Sequence, residues 1–279
     1  MTMTILYIAK KEIMDNIRNK WFLVITGIFA SIAIISSFIG TLGPSGQWMD
    51  FRNTITLLMF FVQFIVPIIG LMLGYASITG ETERGTMSAL LAYPVTRLEI
   101  IIGKFIGLGI IIALSIFIGF GFAGIIIGIN VQNLDYGLYM SYIFFTILLG
   151  LVFLAISMFF SSVLKKRSTS MGMSIFTWSF FSFLWGMLMF GLMFLGNTQP
   201  KDAGALFTLN VFSPVQAFLS LVAINIGPSP IPMPSLGLTM FVDYFPEDIY
   251  NTGVLTLTML IWIISMLSLA YLTFRIRDI

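Results

Sequence analysis

The first group to test for chemistry in this sequence is the pair Gly103-Lys104. A phosphate-binding loop needs an upstream glycine and a Ser or Thr after its lysine, so that backbone N–H groups can cradle a nucleotide. Here Phe105 follows and the upstream glycine is missing, so the chain cannot hold ATP that way. Lys104 is instead expected to snorkel from an apolar run toward lipid headgroups. Gly119-Phe-Gly121-Phe-Ala-Gly124 matches the dinucleotide fingerprint letter for letter, yet it lies inside a long apolar run and not between a strand and a helix. Its glycines are expected to let neighbouring helices approach closely. The sequence has no histidine and no cysteine, which removes Ser-His-Asp and Cys-His nucleophiles and the ordinary zinc sites. Its 18 methionines offer thioethers, which are soft ligands for Cu(I). They are scattered, however, and Met171, Met173, Met187, Met189 and Met193 read as adaptable packing residues. The 12 acidic residues all sit at the ends of apolar runs or between them. An ion-coupled carrier keeps ionisable groups at the bilayer midplane, and this chain keeps none there. No catalytic residue, no cofactor and no metal site is expected in the chain itself.

The elements that position these residues follow from composition. Of 279 residues 58% are hydrophobic and 9% charged, with mean hydropathy +1.01, so the solvent for most of this surface is lipid. A helix needs roughly 20 mostly apolar residues to cross a ~30 Å hydrocarbon core. Six stretches qualify: Trp21 to Leu42, Ile55 to Ile78, Ile100 to Ile129, Leu138 to Leu164, Met171 to Leu195 and Val254 to Phe274. They are continuous and rich in glycine, where a membrane barrel would alternate apolar and polar residues over shorter segments. The expected fold is an all-α integral membrane protein of six transmembrane helices, one domain over residues 1–279. A signal peptide is not expected, because the run from Trp21 exceeds an h-region of ~7 to 15 residues and no small-residue cleavage pattern follows it.

Placing the N-terminus inside puts both termini and the segments 81–99 and 165–170 in the cytoplasm. Lys10, Lys11, Arg18, Lys20, Arg84, Arg97, Lys104, Lys165, Lys166, Arg167, Arg275 and Arg277 then lie inside, and only Arg52 and Lys201 do not. That is a strong positive-inside bias for a protein of the cell membrane. The outer segment 196–253 holds one apolar stretch, Ser213 to Ile226, too short to span. Ser213-Pro214 reads as an N-cap with proline in the first helical position, opening a short helix that lies at or dips into the outer interface. Pro228, Pro230, Pro232 and Pro234 end it.

Two segments stand out. Leu6, Ala9, Ile13, Ile17 and Trp21 recur three or four apart, while Lys10, Lys11, Glu12 and Arg18 fall elsewhere on the wheel, which predicts an amphipathic helix along the inner surface. The other is the loop from Glu81 to Glu99. Gly85 punctuates it, a short helix spans Thr86 to Ala92 ahead of Pro94, and Thr96-x-x-Glu99 forms a capping box opening the third span. A loop needing only to reverse direction does so in a few residues. This one presents Leu90, Leu91 and Tyr93 toward the cytoplasm, as a knob for a partner's groove. Gly70-x-x-x-Gly74, Gly103-x-x-x-Gly107 and Gly124-x-x-x-Gly128 offer faces for a second copy or for neighbouring helices.

The run Glu81-x-Glu83-Arg84-Gly85-Thr86, with Tyr93-Pro94-Val95-x-Arg97 and Gly103-Lys104-Phe105, resembles the loop and third span of ABC type-2 exporter permeases, NosY-type members above all. Ala9-Lys10-Lys11-Glu12 and Arg18-Asn19-Lys20-Trp21-Phe22 are similar to the same family's N-terminal helix. The resemblance implies that Glu83 to Pro94 contains a coupling helix inserted into a separate ATPase subunit, which binds ATP and Mg. Glu81, Glu83, Arg84, Gly85, Thr86, Leu90, Leu91, Tyr93, Pro94 and Arg97 would form the coupling site. It further implies two permease copies on two ATPases, export, and, for NosY-type members, maturation of a copper enzyme outside the cytoplasm. An extracytoplasmic accessory protein would dock on 196–253, and nucleic acid has no part. The rival reading is a scaffold or passive pore subunit that needs no ATPase.

Overall fold

The computed structural model describes residues 2–18, 20–39, 51–130, 135–197, 204–226 and 246–277. In chain order the helices are α1 Thr2–Arg18, α2 Trp21–Ile39, α3 Phe51–Gly74, α4 Thr79–Glu83, α5 Thr86–Leu91, α6 Arg97–Asn130 and α7 Tyr136–Val163. They continue as α8 Arg167–Ser179, a π turn Phe180–Leu184, α9 Trp185–Leu195, α10 Gly204–Asn210, α11 Pro214–Ile226 and α12 Thr252–Ile276. No strand occurs among the described residues. Backbone polar groups cannot be left bare in hydrocarbon, and helices satisfy them within each segment.

Five helical stretches are long and apolar enough to cross a membrane: Ile55–Glu83, Arg97–Phe122, Tyr136–Val163, Arg167–Leu195 and Thr252–Ile276. They correspond to five of the six spans expected from hydropathy. The other, α2, runs for 19 residues, or about 28 Å at the helical rise per residue. Its expected end at Leu42 lies outside the described residues.

Helix α7 is the axis of the bundle, with α3, α6, α11 and α12 packed around it and α1 and α2 laid against α6. Its start is fixed by Asp135, whose carboxylate accepts from the N–H groups of Gly137 at 2.9 Å and Leu138 at 3.1 Å. Small residues set how closely its neighbours lie. A Cβ on Gly70 of α3 would stand 2.7 Å from the Gly150 carbonyl oxygen of α7, a backbone-to-backbone approach that only glycine permits. Aromatic contacts run across the bundle from Phe29 to Phe120, Tyr142 and Phe218, with centroids 5.4, 5.8 and 6.3 Å apart.

The paired glycines therefore serve packing within the chain. Gly70 and Gly74 face α7, Gly103 and Gly107 face α1, and Gly124 faces Tyr139. Gly119, inside the dinucleotide look-alike, lies against Phe29 of α2, as its position in a span required.

The segment from Ser213 corrects one expectation. A helix does begin at Pro214, and the Ser213 hydroxyl accepts from the Gln216 N–H at 3.4 Å. It does not lie along a surface. Val215, Ala217, Phe218, Leu219, Leu221 and Val222 are all buried, and α11 packs between α7 and α12. With α10 it forms a hairpin-like pair bent by 112°. Length suggested a helix at or dipping into the outer interface; its apolar residues bury it between neighbouring helices, and they take the polar Gln216 and Ser220 inside with them. The four prolines of 228–234 lie outside the described residues.

Candidate functional site

The end of the bundle that carries α4 and α5 is built from charge and capping. Ser161, near the end of α7, accepts from the N–H groups of Ile78 at 2.9 Å and Thr79 at 3.0 Å. These open donors at the start of α4 are thereby satisfied. Gly85, at φ +72°, takes the left-handed conformation between α4 and α5, which a residue with a Cβ adopts only under strain. The Thr86 hydroxyl donates to the Glu81 carbonyl at 3.2 Å and the Ser88 hydroxyl to that of Gly85 at 2.7 Å. Helix α5 ends at Leu91, and Pro94 follows the turn. The capping box forms as read: the Glu99 carboxylate accepts from Thr96 N–H at 2.8 Å, and the Thr96 hydroxyl accepts from Glu99 N–H at 3.3 Å.

Lys104 is the largest departure from the sequence reading. It does not snorkel: its side chain is 1% exposed, and Nζ lies 2.7 Å from Glu12 Oε1 and 2.8 Å from Glu81 Oε1. Glu81 Oε1 also meets Lys11 Nζ at 3.0 Å. Two cations and two carboxylates thus join α1, α4 and α6 in one neutral cluster. Burying an ammonium is tolerable only with such pairing. Gly103 and Gly107 on α6 make the approach possible, since a Cβ on either would stand 2.7 Å from Ile8 Cβ or from the Ala9 carbonyl oxygen. A sequence signal existed, a lysine flanked by glycines on one helix, but nothing local named its partners.

Lys11 is half-exposed. Its partial burial pulls the ammonium pKa down, yet the hydrogen bond and charge of Glu81, with Glu12 and Asp15 nearby, hold it above the ordinary 10.5.

The remaining expected site residues divide into anchors and a presented surface. Glu83 accepts the N–H of Arg167 at 2.8 Å, at the start of α8, where the positive helix end favours a carboxylate. The guanidinium of Arg167 donates to the Tyr75 hydroxyl at 2.7 Å and stands over its ring at 5.3 Å. Arg97 is a cap: it donates to the carbonyls of Phe274, Arg275 (3.1 Å) and Arg277 (2.7 Å), closing the end of α12. Arg277 in turn donates to the Ser162 carbonyl at 3.1 Å, near the end of α7. Leu90 and Leu91, expected to face outward, are half-buried against the core beside fully buried Met87. Apolar contact with the bundle wins over solvent for them. What remains exposed is Arg84, Gly85, Thr86, Ser88, Ala89, Pro94 and Tyr93, the last 69% exposed. Tyr75, Ser161, Arg167 and Arg277 were not singled out in the sequence, because each acts through a partner at least 80 residues away in the chain, as in the bonds of Ser161 and Arg167.

On α1 the structure separates three faces. Ile8, Ala9 and Glu12 meet α6; Met3, Leu6, Met14 and Ile17 are exposed apolar residues; Lys11, Asp15 and Arg18 form a polar edge, with Lys10 exposed between. This helix is therefore as much a part of the bundle as of the membrane surface. The side chain of Trp21 lies outside the described residues. Among the described residues no three His, Cys, Asp or Glu groups converge to hold a metal ion. The site is a joint of ion pairs and caps that ties α1, α4, α6, α7 and α8 together.

Residues 6–279 match the family model described as ABC-2 family transporter protein. The chain belongs to the ABC-2 family. It is a multi-pass membrane subunit of an ABC transporter, of a family of permeases that work with a separate ATPase subunit. Among its relatives is the probable ABC transporter permease protein NosY of Stutzerimonas stutzeri, 33% identical over 278 residues and covering 97% of each chain. The protein of that name in Pseudomonas aeruginosa is 34% identical over 211 residues, 73% of this chain and 76% of its relative.

Proposed function

We propose that this permease is the membrane-spanning half of an ATP-driven exporter, non-catalytic itself, and that a cytoplasmic ATPase subunit docks on the exposed surface from Arg84 to Pro94. ATP and Mg bind the ATPase, two copies of the permease pair, and closure of the motor rocks the spans to give alternating access. An extracytoplasmic accessory protein would meet the segment 196–253.

One observation carries this reading. A short capped helix with an exposed tyrosine stands on a base tied by Lys104, Glu83 and Ser161 to α1, α6, α7 and α8. A push on α5 would act on a base bonded to four other helices, which supports the reading that it moves them together.

The test is co-expression of the permease with its ABC ATPase subunit, using Arg84→Ala with Tyr93→Ala. Both side chains are exposed, so the fold is kept. Permease-stimulated ATP hydrolysis should fall at least ten-fold. Unchanged stimulation would place the docking surface elsewhere, and failure of any ATPase to co-purify would favour a scaffold.

A further inference from the structure

The α10–α11 hairpin carries buried polar groups for which the described residues supply few partners. Asn210, Gln216 and Ser220 are 1%, 4% and 1% exposed; Gln216 Oε1 makes no hydrogen bond among the described residues, and Asn210 Nδ2 and Ser220 Oγ have no partner within 3.5 Å there and only the Tyr250 hydroxyl beyond it. They stand close together. Asn210 Oδ1 accepts from Trp185 Nε1 at 3.1 Å, and the Gln216 amide nitrogen lies 3.8 Å from where a Cβ on the next residue, Gly186, would be. The Tyr250 hydroxyl, which donates to the Phe207 carbonyl at 2.6 Å, also faces the side chains of Asn210 and Ser220. Ser182, one turn before Gly186, adds a fourth buried polar group, a hydroxyl with no partner among the described residues.

A buried polar group left without a partner in a dry core is not repaid for the water it gave up. Apolar side chains of similar size would be cheaper at every one of these positions. Such groups are ordinarily satisfied by enclosed water, which makes about three hydrogen bonds to them. The set mixes donors and acceptors and includes no charged side chain, which suits neutral groups and penalises ions. We propose that the polar seam where the α10–α11 hairpin meets the turn Trp185–Gly186 is hydrated and binds neutral hydrogen-bonding groups: water, and in its place a hydroxyl- or carbonyl-bearing ligand. The site does not depend on where the ATPase docks.

The absence of cysteine from the chain makes the test direct. The thiolate, which forms in water and is suppressed in apolar surroundings, attacks a methanethiosulfonate at its sulfenyl sulfur, forming a mixed disulfide and expelling methanesulfinate. Ser220→Cys and Ser182→Cys, close in size to the native residues, are compared with Leu219→Cys and Ala217→Cys on the same hairpin, both fully buried in the parent. The full chain is kept in native membranes at pH 8, and the probe is 2-hydroxyethyl methanethiosulfonate, itself neutral and hydroxyl-bearing. Ser220→Cys should react at least ten-fold faster than Leu219→Cys. Equal rates overturn the proposal. If Ser220→Cys is not recovered folded, Ser182→Cys against Ala217→Cys decides in the same way.

Discussion

Replacing Lys104 by methionine keeps the length and apolar stem of the side chain and deletes one charge. The structure states what is left behind. Glu12 and Glu81, 12% and 20% exposed, would face each other across the space that Nζ had filled 2.7 and 2.8 Å away. Removing one partner of a buried ion pair costs about 3–5 kcal/mol, chiefly because the other charge stays buried and uncompensated. Lys11 still reaches Glu81 at 3.0 Å, but it is 52% exposed, and screening by water makes it a weak substitute. The lower end, about 3 kcal/mol, is therefore expected. At about 2–4 °C per kcal/mol for a chain somewhat under this length, that is a fall of about 6–12 °C in Tm. The assay is thermal unfolding of the detergent-solubilised permease followed by tryptophan fluorescence. Neutralising both carboxylates as well, in Lys104→Met with Glu12→Gln and Glu81→Gln, should restore most of the loss, since a buried ionic group replaced whole by neutral residues costs little. A single variant that melts within about 2 °C of the parent refutes the reasoning. So does a triple variant no more stable than the single one.

Arg97→Ala should free the last carbonyls of α12, three of which the guanidinium now binds. Loss of charged hydrogen bonds of this kind costs about 1.5–3 kcal/mol each where buried and less at this half-exposed end. Trypsin cleavage after Arg275 and Arg277 should accelerate several-fold, while an unchanged rate would deny the cap. The raised pKa of Lys11 gives a pH signature. Its folded value lies above the ordinary 10.5, so its contribution is complete below that pH and disappears as pH climbs through the folded value. The stability gap between the parent and Lys11→Met should stay constant from about pH 6 to 9 and narrow only above about 10.5. A gap that closes below pH 9 would contradict the bond to Glu81.

The sequence by itself determined the features that short stretches of chain decide. Apolar runs of membrane-spanning length settled the solvent and the helical fold, because no other open structure satisfies its backbone in lipid. Thr96-x-x-Glu99 announced its own capping box, Gly85 its left-handed turn, and Ser213-Pro214 the first residue of a helix, all interactions closed within three or four residues. The family, too, was legible in Glu81 to Lys104.

Only the tertiary structure decided which distant groups meet. Glu12 and Lys104 are 92 residues apart in the chain, and no local pattern distinguishes a lysine that snorkels from one held between two carboxylates. The glycines around Lys104 look like those of any membrane helix until α1 is found lying on them. Arg97, read as part of a docking surface, turned out to close α12, and Leu90 and Leu91 turned inward. Helix α11 was expected at or dipping into the outer interface because it is too short to span alone, yet it lies packed in the bundle as half of a bent pair. In each case the deciding energy is the burial of charge or apolar surface between elements that the chain brings together only on folding.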